Sequence, residues 1–215
     1  MDQWRSSAEQ IAVSQTIQGT RLLGIIAPTG ASNSSLFARM VSEAMGRSGL
    51  KVLLAELNAN DPAPTAVDGE PWRPVDASSS GYIDVLAPNV TAETRHIFNN
   101  SAWLAQYFDE HRQSYSNIVV DLPPVISARD NQLMPLAAAS TCDAVILMCS
   151  TGRVTHAEIE TAVQLLKSVK VALIGIVVDE SEGNAASRRL RRDNQSKNRL
   201  PSGAQGKNSA ERLNP

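Results

Sequence analysis

The sequence predicts an α/β protein, a doubly wound and mainly parallel sheet with helices on both faces in three layers. Two observations carry that expectation. Six apolar runs have strand length: Arg21 to Ala27, Lys51 to Leu57, Tyr82 to Leu86, Asn117 to Leu122, Ala144 to Cys149 and Val171 to Val178. Most are continuous rather than alternating, as strands covered on both faces must be. Helical patterns lie between them, at Ser35 to Arg47, Trp103 to Arg112, roughly Asp130 to Ala139 and Thr155 to Val169. Strands alternating with helices imply right-handed crossovers and therefore parallel pairing.

Each element has a local reason. Trp4, Ala8, Ile11 and Ala12 recur at helical spacing, which predicts an N-terminal amphipathic helix ending near Gly19. Thr155 and Glu158 stand three apart at the head of the last helix, the spacing of a capping box. The Pro-, Asp- and Ser-rich stretch from Asn58 to Gly81 reads as the longest irregular connection. No internal repeat is visible. The expected organisation is a helix over 1–20, an α/β domain over 21–179 and a tail over 180–215.

Composition narrows the classes. A chain of 215 residues with 42% apolar content can bury one substantial core. The longest apolar runs, such as Val171 to Val178, fall far short of the ~20 residues that span a bilayer. The opening MDQWRSSAEQ lacks a basic segment followed by an apolar one, so it does not read as a secretory signal, and a cytoplasmic location is expected. Cys142 and Cys149 flank a strand-length run, about 20 Å apart at ~3.3 Å per residue, too far for a disulfide. His96, His111 and His156 have no metal-ligand spacing. The net charge of −2 hides an asymmetry, because the chain from Glu180 onward is +4 and the rest −6. That end is polar and poor in large apolar residues, and is expected to be disordered. Its RRLRR cluster, Arg188 to Arg192, could touch anionic headgroups or another protein.

In a doubly wound sheet, ligands bind at the carboxyl ends of the strands. The loops after Ala27, Leu57, Asp121 and Cys149 are therefore the candidate site. The stretch GIIAPTGASNSSLFARMVSEAM, Gly24 to Met45, has the strand, small-residue loop and helix of a phosphate-binding loop. Its candidate ligand-binding residues are Gly30, Ser32, Asn33, Ser34 and Ser35. Asp121 ends an apolar strand where a carboxylate can order a magnesium-bound water, and Pro123-Pro124 stop the strand by removing amide donors. Two readings of ASNSS remain open: Ser32 or Asn33 caps the helix without a ligand, or the helix N-terminus is a weakened anion site.

The segments KVLLAELNANDP, NIVVDLPPV, CDAVILMCSTGRVTHAEI and ALIGIVVDE, in that order, resemble the cytoplasmic domain of bacterial tyrosine kinases that partner polysaccharide chain-length regulators. These kinases belong with the septum-site and plasmid-partition ATPases, and the resemblance runs from Leu22 to Asp179. It implies a P-loop NTPase-like fold, magnesium and ATP, with Ser35 and Asp121 as metal ligands and a role in exopolysaccharide or capsule export. The chain departs from the pattern where that chemistry resides. Ser34 stands where the phosphate-loop lysine belongs, Ala31 and Asn33 stand for glycines with Gly30 displaced, and Glu56 and Asn58 stand for two aspartates. Asp179 stands for the asparagine that would contact adenine. A lysine–phosphate bond is worth about 1.5–3 kcal/mol and a left-handed Ala31 would cost roughly 1–2 kcal/mol. The combined ~3–5 kcal/mol lowers affinity by two to four orders of magnitude. The tail carries no tyrosine, since Tyr82, Tyr107 and Tyr115 all lie before it, and Glu9, Ala12 and Gln15 replace the family's ring-assembly residues.

The favoured expectation is a catalytically silent relative: a cytoplasmic adaptor held at the inner membrane by a polysaccharide co-polymerase, or chain-length regulator. No cofactor is expected, with Mg-ATP or Mg-ADP bound only if the degenerate site still works. A homo-oligomer stays open, and nucleic acid is not an expected partner. The alternative is an active autokinase or ATPase in which Asp121 is catalytic and a residue such as Arg153 replaces the lysine. A third reading, a partition-like positioning factor, would use the basic tail on DNA or membrane.

Overall fold

The structure, a computed structural model, describes residues 2–58, 71–75, 82–88, 94–126 and 135–180. All six expected strands form: β1 (Leu22–Ile26), β2 (Val52–Glu56), β4 (Ile83–Pro88), β5 (Asn117–Asp121), β6 (Ala144–Ser150) and β7 (Leu173–Asp179). A seventh, β3 (Trp72–Val75), lies inside the stretch expected to be irregular. The sheet runs β3-β4-β2-β5-β1-β6-β7. The six expected strands pair parallel, and β3 joins β4 antiparallel at one edge. An antiparallel edge on a parallel sheet is common in doubly wound folds.

Helices α1 (Asp2–Gln18), α2 (Ser34–Arg47), α3 (Arg95–Phe98), α4 (Ser101–His111), α5 (Pro135–Ala139) and α6 (His156–Ser168) cover the two faces. On one face, Ala8 and Ala12 of α1 and Phe37, Val41 and Met45 of α2 pack over Leu23, Ile25, Val119 and Ile146 of the sheet. On the other, Phe98, Leu104, Phe108, Ala138 and Leu166 pack over Leu22, Ile26, Val120 and Leu147. The sequence did not foresee the four-residue α3. Of the helix expected from Asp130, residues 130–134 lie outside the described part, as do residues 181–215 of the tail with its RRLRR cluster. Neither thiol is paired and both are buried, which pushes Cys142 up to about 12 and Cys149 to about 11.

The central strand is packed closely enough to need a glycine. A Cβ at Gly24 would lie 2.8 Å from Leu122 Cδ1 and 2.9 Å from Val145 Cγ1, so any side chain there would force these neighbours to shift. Strand β7 departs from the expectation of cover on both faces. Ile174, Ile176 and Val178 are 42%, 46% and 49% exposed, because β7 is the sheet edge with β6 as its one strand neighbour.

Candidate functional site

The strand order places the carboxyl ends of β1, β2, β5 and β6 side by side, with α2 starting above them. The connection from β1 to β2 runs toward one sheet edge and that from β5 to β6 toward the other, which makes this the switch point where doubly wound sheets bind ligands. The loop after β1 is tied to the segment after β5: the Val125 amide donates to the Ala27 carbonyl at 2.9 Å and the Ile126 amide to the Pro28 carbonyl at 2.8 Å. Pro123 and Pro124 are buried beneath it.

The sequence-predicted residues do come together. Asp121 ends β5 opposite Glu56 at the end of β2, so the two carboxylates point to the same side. Asp121 is 2% exposed, and its Oδ1 has no hydrogen-bond partner. Burial pushes its pKa up to about 7; the Ser35 hydroxyl, Asn58 and Arg39 pull it down, while the Glu56 charge adds to the rise. Asn58 donates its side-chain amide to Ser35 Oγ at 3.1 Å. Thus the hydroxyl expected to hold a metal accepts a bond from the residue that replaced an aspartate. Arg39, one turn beyond Ser35, puts Nη2 2.5 Å from Glu56 Oε1.

The second half of the site closes on Asp179, which is 1% exposed at the end of β7. Asn33 donates to Asp179 Oδ2 at 3.4 Å and Ser150 Oγ to the same oxygen at 3.5 Å. Arg153 Nη1 donates to the Ala31 carbonyl at 3.3 Å, which places that cation against the loop. Ser34, where a lysine would be needed, is buried in the first turn of α2.

The capping expectation for the loop needs correction. Asn33 is the N-cap of α2 by position, yet neither it nor Ser32 caps the helix by side chain. Asn33 turns to Asp179 instead, and the buried Ser32 hydroxyl has no partner. The left-handed conformation whose cost was assigned to Ala31 on nucleotide binding is not adopted here. Among the described residues the positive φ values belong to Lys170, Gly19, Gly49 and Gly152, so neither Gly30 nor Ala31 adopts that conformation. Sequence reasoning missed Arg39 altogether; its one signal was the i, i+4 spacing from Ser35, which aims both side chains at the strand ends.

Magnesium and nucleotide fit these residues poorly. Ser35 and Asp121 could contribute oxygen ligands, but a guanidinium stands at the adjoining carboxylate and Asn58 occupies the Ser35 hydroxyl. No group of three or more His, Cys, Asp or Glu residues suited to a metal ion occurs among the described residues.

No protein-family model matches the chain, and no curated protein sequence matches it either. Solved structures do. The BceF tyrosine kinase domain superposes with a TM-score of 0.63 at 16% identity, covering 82% of this chain and 75% of that one. The kinase domain of Escherichia coli tyrosine kinase ETK gives 0.61 at 16% identity, covering 75% and 68%. A cobyrinic acid a,c-diamide synthase from Mycobacterium smegmatis, solved with ADP and magnesium, gives 0.60 at 17% identity over 86% and 85%. At such identities the likeness establishes the fold: this chain has the P-loop NTPase-like architecture that bacterial tyrosine kinase domains share with other nucleotide-dependent enzymes. The resemblance read from the strand-end motifs and the structural neighbours thus point to the same class.

Proposed function

We propose that this chain is a catalytically silent, tyrosine-kinase-like adaptor that works on the cytoplasmic side of the inner membrane. It docks on a polysaccharide co-polymerase and supports exopolysaccharide or capsule synthesis and export. The observation that carries the reading is how the phosphate-loop groups are used. Ser35 is engaged by Asn58, Asn33 by Asp179 and Glu56 by Arg39, and no lysine stands in the loop. A triphosphate would have to displace these bonds without the cation that normally repays the exchange. No helix among the described residues is long and apolar enough to cross a membrane. Isothermal titration with ATP and magnesium is the direct test: binding no tighter than millimolar is expected, and micromolar binding sinks the reading.

One observation favours a second reading, an active autokinase or ATPase. Arg153 already lies against the loop at the Ala31 carbonyl, within reach of a side chain that could turn toward a phosphate. In that case label from γ-phosphate-labelled ATP enters the protein (autokinase) or is released as inorganic phosphate (ATPase), and Asp121→Asn abolishes it.

A further inference from the structure

The carboxylates at the ends of β2 and β5 pose an electrostatic problem. Glu56 and Asp121 are register partners on adjacent parallel strands, so their backbones are ~4.8 Å apart and their side chains share a face. Glu56 is nearly buried, its side chain 13% exposed. Asp121 is almost wholly buried, and its Oδ1 is unpartnered. Two acidic groups this close and this dry stay ionised together only with a positive charge beside them; otherwise one of them holds a proton. In magnesium sites that charge is the metal ion.

Here the charge comes from α2. Ser35 and Arg39 are four residues apart on the helix, so their side chains lie one above the other on the face turned to the strand ends. Ser35 reaches Asn58, and Arg39 reaches Glu56 with a contact at the short end of the charge-assisted range. The Arg39 side chain is about half exposed, so it can keep part of its hydration while Nη2 meets the carboxylate. The orphaned Oδ1 of Asp121 is the remaining open ligand position of the cluster.

We propose that Arg39 is a built-in counter-ion that takes the electrostatic place of a divalent cation at the Glu56–Asp121 pair and thereby keeps this site free of metal. The inference deepens the adaptor reading, and rests on it in treating the site as one that does not use metal-nucleotide. It also makes a statement of its own: removing one positive charge creates a metal site where none exists. A guanidinium and a divalent ion cannot both stand beside these carboxylates without mutual repulsion.

The test uses the full chain and Mn²⁺ alone, followed by loss of the free-ion signal in electron paramagnetic resonance. Wild type is expected to leave Mn²⁺ free into the millimolar range. Arg39→Gln and Arg39→Met, the second of which keeps an apolar stem, are expected to bind one equivalent about tenfold more tightly or better. Adding Asp121→Asn to either variant returns it to wild-type behaviour, and Arg39→Lys stays metal-free. A thermal melt with and without Mn²⁺ gives a second readout, since bound metal raises the melting temperature of the variants alone. Wild type binding Mn²⁺ as tightly as the variants overturns the proposal, and so do folded variants that bind none. A separate ATP titration of wild type distinguishes the two claims: tight ATP binding that needs no divalent ion would sink the adaptor reading while supporting the counter-ion.

Discussion

Asp143 gathers three parts of the chain at the amino-terminal end of the sheet. Its Oδ2 accepts from the Arg21 amide at 2.9 Å and the Leu22 amide at 2.8 Å, and Arg112 adds Nη1 at 3.2 Å and Nη2 to Oδ1 at 2.7 Å. Burial by itself would raise the pKa of this carboxyl, but the Arg112 bond and the two amides outweigh it and hold it below the usual carboxylate range. The folded state thus favours the ionised form. The resulting stability is fully present above about pH 4, the ordinary carboxylate value, and fades as pH falls toward the lower folded value. Because the pair is about one-third exposed, water screens it, and the contribution is about 1 kcal/mol. Asp143→Asn should lower the unfolding free energy from urea titration at pH 7 by that amount. The gap between variant and wild type should close below pH 4, and a gap unchanged at pH 3 would refute the assignment.

At the scale of elements, α6 and α2 begin in opposite ways. Thr155 Oγ1 accepts from the Glu158 amide at 3.3 Å, and the Glu158 carboxylate accepts from the Thr155 amide at 2.7 Å. This is the capping box that the spacing of the two residues predicted. Helix α2 has no side-chain cap, because Asn33 is held by Asp179. Thr155→Ala should therefore cost about 1 kcal/mol, whereas Asn33→Ala should cost clearly less, its lost bond being long at 3.4 Å. Urea unfolding with an unchanged slope checks both, and equal losses would mean that Asn33 caps after all. The same contrast explains what could be read from the sequence. The six parallel strands were legible because continuous apolar runs have few other uses. Strand β3 was not, since Pro74 within Trp72–Val75 reads as a breaker and is tolerated only at a sheet edge. Asp121 and Ser35 were legible from strand and helix position. The Asn33–Asp179 and Arg39–Glu56 contacts were not, because they depend on which elements face each other rather than on spacing along the chain.

Across the whole molecule, strand order sets where stability resides. Strand β1 sits between β5 and β6, and every residue of β1 and β5 is buried. Opening these strands would expose both core layers at once, so their amides should exchange only through global unfolding. Strand β7 has one neighbour and alternates between half-buried and exposed side chains, with Ile174, Ile176 and Val178 open to solvent. Its pairing with β6 also slips by a residue near Val145 and Ile146, where the ladder is interrupted. Releasing β7 would therefore sacrifice little buried apolar area relative to releasing β1, and the free-energy gap to the locally opened form is correspondingly small. Native-state hydrogen exchange in the isolated chain should show protection highest in β1 and β5 and lower by orders of magnitude in β7. Protection of β7 equal to that of β1 would mean that something beyond α6 covers its outer face, and the strand could no longer be treated as an open edge.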